Sequence, residues 1–267
     1  MRAVSRAAAR AVARRRKADG TVVFVGPSLP ARTARALLPG ADVRPPAALG
    51  DVQAAVRDGA RAVVLVDGYF ERVPAVWHKE LMFVLSRGVR LYGGASMGAL
   101  RAAELHPYGM IGVGEVFRRF RCGELTGDDE VTVLHATARG DHRALTEALV
   151  NMRVTVEAAV RERVIPAGTG TALAAIAKAT YYAERDYDRL LGDAADAGVD
   201  RAHLGAFGRW LPTGAVDQKR ADALRVLWAA AADGGARSGA AFPYERTWIW
   251  RDLIEPGAPG PADPDPG

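Results

Sequence analysis

The chain has 267 residues, of which 49% are hydrophobic and 25% charged, and it carries a formal net charge of +5. That composition supports a folded chain of one large or two small domains, and it argues against an intrinsically disordered protein. Cys122 is the only cysteine, which excludes an internal disulfide and a cysteine metal cluster. No continuous apolar stretch resembles a secretory signal or approaches the roughly 18 residues of a membrane span, so a cytoplasmic protein is expected.

Residues 1–20 gather arginines and Lys17 ahead of any acid and read as a flexible, solvated basic extension. No aromatic-plus-basic pattern accompanies them, so neither nucleic acid nor membrane is expected as a partner. Thr21 to Val25 is a β-branched and aromatic strand ended by Gly26-Pro27-Ser28, and a helix runs from Pro30 to Leu38. A short strand at Asp42–Arg44 and a helix from Asp51 to Arg57 follow. Ala62 to Val66 is an uninterrupted apolar run ending in Asp67-Gly68, as expected of a parallel strand buried on both faces. A helix over 75–87, a strand over 89–92 and a helix over 99–105 complete the alternation. Strands alternating with helices predict an α/β fold: a mostly parallel sheet with helices on both faces.

From about Gly112 the pattern turns helical, with helices predicted over 114–121, 145–164, 171–189 and 220–232. The expected organisation is an α/β core domain over 21–165, a helical C-terminal region over 166–254 and a disordered Pro/Gly-rich tail over 255–267. Trp210, Trp228, Trp248 and Trp250 are expected to make core or subdomain contacts rather than a base-stacking platform, and Cys122 is expected to be semi-buried and structural.

Gly94-Ala95-Ser96-Met97-Gly98 matches G-x-S-x-G, the nucleophile elbow that exposes a serine at the carboxyl edge of a sheet between strand and helix. The alternative is a tight glycine-rich turn whose serine merely caps the helix. A serine needs a base. His106, His135, His142 and His203 follow the elbow, but none sits at a recognisable late strand-to-loop boundary, which weakens a Ser-His-Asp esterase. Lys79 is one helix and one strand before Ser96, and both are expected at the carboxyl edge where open α/β sheets bind ligands.

Only Lys17, Lys79, Lys178 and Lys219 are lysines among the 36 Lys and Arg residues. Arginine cannot give up its proton, whereas a lysine can be shifted toward neutrality by burial and a helix N-terminus. Moving one from about 10.4 to about 7.5 needs about 4 kcal/mol. The competing account of Lys79 is a surface pair with Glu80 or Glu71, and His78 is an alternative base. The turns at Gly26, Ser28, Asp67, Gly68 and Gly94, with the Met97 N–H, are candidates for an oxyanion hole or a substrate-tail site. Asp67 could instead orient Lys79. Asp128-Asp129-Glu130 lacks a histidine at ligand spacing and reads as an acidic helix start, so no metal and no cofactor are expected.

These residues also carry a resemblance. Phe24 to Leu29, Asp67 to Glu71, Val73 to Glu80, Gly94 to Leu105, Tyr108 to Met110 and Gly127 to Val131 together resemble the TfuA family over about residues 21–160. The resemblance implies a partner of a YcaO enzyme in peptide backbone thioamidation. It further implies hydrolysis of the C-terminal thiocarboxylate of a ThiS-like sulfur carrier by a Ser–Lys pair, with sulfide passed to YcaO and onward to a precursor peptide or protein. Carried onto this chain, Ser96 is the nucleophile and Lys79 its base. The lack of side chains at Gly93, Gly94 and Gly68 is expected to let a thin carrier tail approach the backbone. A non-catalytic scaffold or peptide-presenting role beside YcaO is the alternative.

Overall fold

A computed structural model describes residues 20–71, 73–136, 142–233 and 244–245. The predicted basic extension up to residue 19, Trp248, Trp250 and the Pro/Gly-rich tail lie outside the described residues. The first half alternates as its sequence dictates: β1 (Thr21–Phe24), α1 (Ala31–Leu37), β2 (Asp42–Arg44), α2 (Asp51–Arg57), β3 (Ala62–Leu65), α3 (His78–Ser86), β4 (Arg90–Gly94) and α4 (Met97–Leu105). A fifth strand, β5 (Ile111–Val113), precedes α5 (Glu115–Arg121).

All five strands are parallel, in the order β2-β1-β3-β4-β5. Alternate residues of each strand face opposite layers. Val22, Phe24, Val63, Leu65 and Leu91 meet α2, α3 and α4 on one face. Val23, Val25, Val64, Val66 and Tyr92 face α1 on the other. The chain leaves β1 toward β2 but leaves β3 toward β4, so the winding reverses between β1 and β3. A crevice at the carboxyl ends of such a pair is where open α/β sheets place ligands.

The second half holds α6 (Leu149–Arg161), α7 (Ala167–Ala179), α8 (Tyr187–Asp196), α9 (Arg201–Gly214) and α10 (Gln218–Ala232). Helices α6 to α9 share a core of their own, built from residues such as Leu149, Met152, Leu173, Leu190 and Phe207. The predicted helix over 171–189 is divided: α7 ends at Ala179, and the chain turns through Thr180–Asp186 before α8. Helix α9 was not foreseen.

Helix α10 behaves differently from its neighbours. Ala223, Val226 and Leu227 pack on the sheet beside Val64, Val66 and Tyr92, completing the layer begun by α1. Buried Asp222 accepts from the Val116 N–H of α5 at 2.7 Å and from Gln218 Nε2 at 2.8 Å. At the far end the Tyr92 hydroxyl donates to Asp233, which Arg90 also reaches at 3.1 Å. The helix is thus fastened at both ends, and its first turn lies over the carboxyl edge of the sheet.

Two side chains depart from expectation. Cys122 is exposed, its thiol donating to the Arg118 carbonyl at 3.0 Å, because α5 ends there at the surface. Trp228 is 55% exposed, because α10 turns its apolar stripe of Ala223, Val226 and Leu227 inward and leaves Trp228 outside it.

Candidate functional site

The turn around Ser96 is set by close backbone contacts. A Cβ on Gly98 would stand 1.7 Å from the Leu65 carbonyl oxygen, and the Gly98 N–H donates to Val66 O at 3.2 Å. The first turn of α4 therefore presses on the end of β3, which only glycine permits. The left-handed strain falls on Ala95, at φ +67°, and not on Ser96, at φ −122°. A non-glycine residue held there costs about 1–3 kcal/mol, and such positions cluster at functional sites.

The serine is neither a cap nor exposed. Ser96 stands at the N-cap position of α4, yet its side chain makes no capping hydrogen bond. It is 3% exposed and lines a cavity of about 260 Å³. Its hydroxyl donates to the Val131 carbonyl at a long 3.5 Å. The exposed elbow expected from the motif is thus replaced by a serine sunk within a cavity, because the Val131 segment covers it.

Lys219 reaches the same carbonyl, its Nζ donating to Val131 O at 2.6 Å. Ser96 Oγ and Lys219 Nζ therefore lie no farther apart than these two contacts laid end to end. The lysine is 4% exposed and lines the same cavity as Ser96 and Asp67. Burial pushes its ammonium below the ordinary lysine range, while the carboxylates of Asp67, Asp217 and Glu147 oppose that shift. The position is held from the backbone. Asp217 caps α10 by accepting from Arg220 N, and Asn151 on α6 accepts from Lys219 N at 3.0 Å.

Lys79 is placed elsewhere. It is the second residue of α3, half-buried, and is not among the residues lining the Ser96 cavity. The predicted helix over 75–87 begins late, at His78. Residues 74–77 are diverted into loop contacts: Pro74 O accepts from Leu49 N at 2.9 Å, and Val76 O accepts from Arg101 Nε at 3.1 Å. Helix α3 also packs on the sheet face opposite to α10. His78 sits beside α3's start in a cluster with Arg101 and Glu104, with 2.7 Å between His78 Nε2 and Glu104 Oε2.

The other candidates separate by what already occupies them. The amides of Gly26 and Ser28 donate to Asp67 Oδ2 at 2.7 and 3.1 Å, and Ser28 Oγ donates to Asp67 Oδ1 at 2.6 Å. Those two amides are thus engaged and do not stand as oxyanion donors. Asp67 lines the cavity, and so does Gly68. The room expected beside Gly93 and Gly94 for a tail is filled by this chain's own backbone: added Cβ atoms would meet Gly98 O at 2.1 Å and Val113 O at 2.8 Å. A Cβ on Gly68 would meet Met97 Cγ at 2.9 Å. Of the late histidines, His135 lines the cavity, while His203 pairs with Thr169 and His106 lies against Phe117.

The acidic run serves as a clamp. Asp129 accepts from Lys178 at 2.7 Å and Arg185 at 2.8 Å, and buried Glu130 accepts from Arg153 at 2.9 and 3.0 Å. These pairs fasten the segment carrying Val131 to α6, α7 and the turn before α8. Among the described residues no group of His, Cys, Asp and Glu is arranged to hold a metal, and no helix is long and apolar enough to cross a membrane.

A parallel α/β sheet with a buried serine and a buried lysine converging on one carbonyl at its carboxyl edge defines a class of protein with a candidate acyl-transfer site. A family model described as TfuA-like protein matches residues 67–186, so that part of the chain is similar to the TfuA family. That similarity supports a role linked to peptide backbone thioamidation. Ser96, Lys79 and Val131 fall within the matched residues, whereas Lys219 lies beyond them. No curated protein matches the sequence.

Proposed function

We propose that this chain hydrolyses the C-terminal thiocarboxylate of a ThiS-type sulfur carrier and supplies sulfide to a YcaO partner, with Ser96 as nucleophile and Lys219 as its base. The observation that carries the reading is the convergence of Ser96 Oγ and Lys219 Nζ on the Val131 carbonyl inside one cavity. Burial lowers the hold of Lys219 on its proton, and a lysine so shifted near a serine hydroxyl can serve as its base.

Neutral Lys219 takes the Ser96 hydroxyl proton as Oγ attacks the thiocarboxylate carbon. The tetrahedral intermediate collapses, the C–S bond breaks, and sulfur leaves as hydrosulfide carrying the proton from the lysine. Water then attacks the Ser96 ester, Lys219 accepts its proton, and the serine alkoxide is reprotonated as the carboxylate departs. The amides of Gly98 and Ala99 are taken by Val66 O and Ser96 O. The Met97 N–H, first in α4, is the donor assigned to the oxyanion, aided by the positive end of the helix.

The test is sulfide release from a thiocarboxylated carrier. Ser96→Ala abolishes release while circular dichroism and the melting transition stay those of the native chain. Unchanged release overturns the reading and leaves the scaffold role beside YcaO. Loss on replacing His135, with Lys219 dispensable, favours a histidine-based esterase, since His135 lines the same cavity.

A further inference from the structure

The cavity over Ser96 adjoins a second one of about 400 Å³, and Phe70, Glu71, Thr132 and Tyr182 line both. At their junction the Tyr182 hydroxyl donates to the Glu71 carboxylate. That contact joins the loop after β3 to the turn between α7 and α8. Tyr181, 57% exposed, meets the Tyr182 ring edge-on with centroids 4.6 Å apart. Behind it Arg185, 2% exposed, donates to the Asp129 carbonyl at 2.6 Å and to its carboxylate at 2.8 Å. Lys178 pairs with the same carboxylate at 2.7 Å.

We propose that the outer cavity is the vestibule for an extended C-terminal peptide arm of small residues on a protein substrate. The Tyr182–Glu71 contact is the selective gate between that vestibule and Ser96. The inference rests on the hydrolase reading of Ser96 and names how its substrate enters. Three observations favour a peptide arm. Ser96 is 3% exposed, so the reacting carbon must arrive on a thin chain. The cations of the vestibule are already matched to Asp129, which disfavours a phosphate or an acidic ligand. Phe70, Tyr181 and Tyr182 present flat aromatic surfaces suited to peptide groups, and the gate pair offers one acceptor and one donor that an arm's N–H and C=O can replace.

The test uses the full chain and a fluorescent peptide ending in Gly-Gly carboxylate, read by anisotropy. In a Ser96→Ala background the peptide binds saturably, and a peptide with phenylalanine at the penultimate position binds about tenfold more weakly. Ala179 is exposed and lines only the outer cavity, so Ala179→Trp fills the vestibule without touching the inner one. It lowers affinity about tenfold or more, while circular dichroism and the melting transition stay those of the native chain. Tyr182→Ala admits the phenylalanine peptide nearly as well as the Gly-Gly peptide. No saturable binding, or affinity and selectivity unchanged in both Ala179→Trp and Tyr182→Ala, overturns the vestibule. Saturable, vestibule-dependent binding without sulfide release from the native chain instead overturns the hydrolase reading and leaves the vestibule standing.

Discussion

Replacing Asp67 with asparagine separates charge from shape at the centre of the site. The buried carboxylate accepts from Gly26 N, Ser28 N and Ser28 Oγ at 2.7, 3.1 and 2.6 Å. An asparagine can turn its oxygen to the two amides and donate its nitrogen to Ser28 Oγ, so every bond survives in neutral form. The loss of charge assistance costs about 1 kcal/mol per amide bond, or about 2 kcal/mol in all. Asp67→Ala strands three donors and costs about 3–6 kcal/mol. Urea titration reads both. The decisive readout is the pH profile of sulfide release. Activity rises with pH as Lys219 loses its proton, and the Asp67 carboxylate holds that transition higher than burial alone would. Asp217 and Glu147, the other carboxylates acting on Lys219, are untouched. Asp67→Asn therefore moves the acid limb to lower pH. A reduced plateau with an unmoved limb refutes the coupling of Asp67 to the base.

Arg185→Ala removes a buried guanidinium that bonds the carbonyls of Ala177, Thr180 and Asp129, and it leaves the Asp129 carboxylate to Lys178 alone. It lowers the unfolding free energy by about 3–5 kcal/mol in denaturant titration. Gly98→Ala drives a methyl into the Leu65 carbonyl and costs about 3 kcal/mol or more, read as a lowered melting temperature or insoluble chain. Lys219→Met relieves the burial of an ammonium and raises the urea midpoint at pH 7, a gain of about 0.5–2 kcal/mol in unfolding free energy. The folded lysine binds its proton less tightly than the unfolded one, so native stability climbs with pH and the gain from methionine fades toward about pH 10.4.

The sheet was legible because its strands announce themselves locally. Ala62 to Val66 reads as doubly buried from its own residues, and the glycines of 93–98 mark a strand-to-helix turn that the structure draws tightly. Edge strand β5 is only Ile111–Val113, too short and glycine-interrupted to register. The base was less accessible. Lys79 is expected from its place one helix and one strand before Ser96, from the scarcity of lysine and from the family resemblance, but contacts made by Pro74 and Val76 delay α3 to His78, and Lys79 is not among the residues lining the Ser96 cavity. Lys219 depends on α10 returning to the sheet across the whole helical region. That return is written in long-range pairs such as Asp222 with Val116 N and Tyr92 with Asp233, which no local pattern displays. Two signals did point there: the scarcity of lysine in an arginine-rich chain, and the small-apolar stripe of Ala223, Val226 and Leu227 behind an Asp217 cap.

One paired measurement tests which lysine serves Ser96: single-turnover sulfide release from a thiocarboxylated carrier by Lys219→Met and Lys79→Met side by side. The rate is predicted to fall by about 10²–10⁴ in Lys219→Met, the usual loss of a general base, and to stay near native in Lys79→Met. A native rate in folded Lys219→Met, with the loss in Lys79→Met, would contradict it.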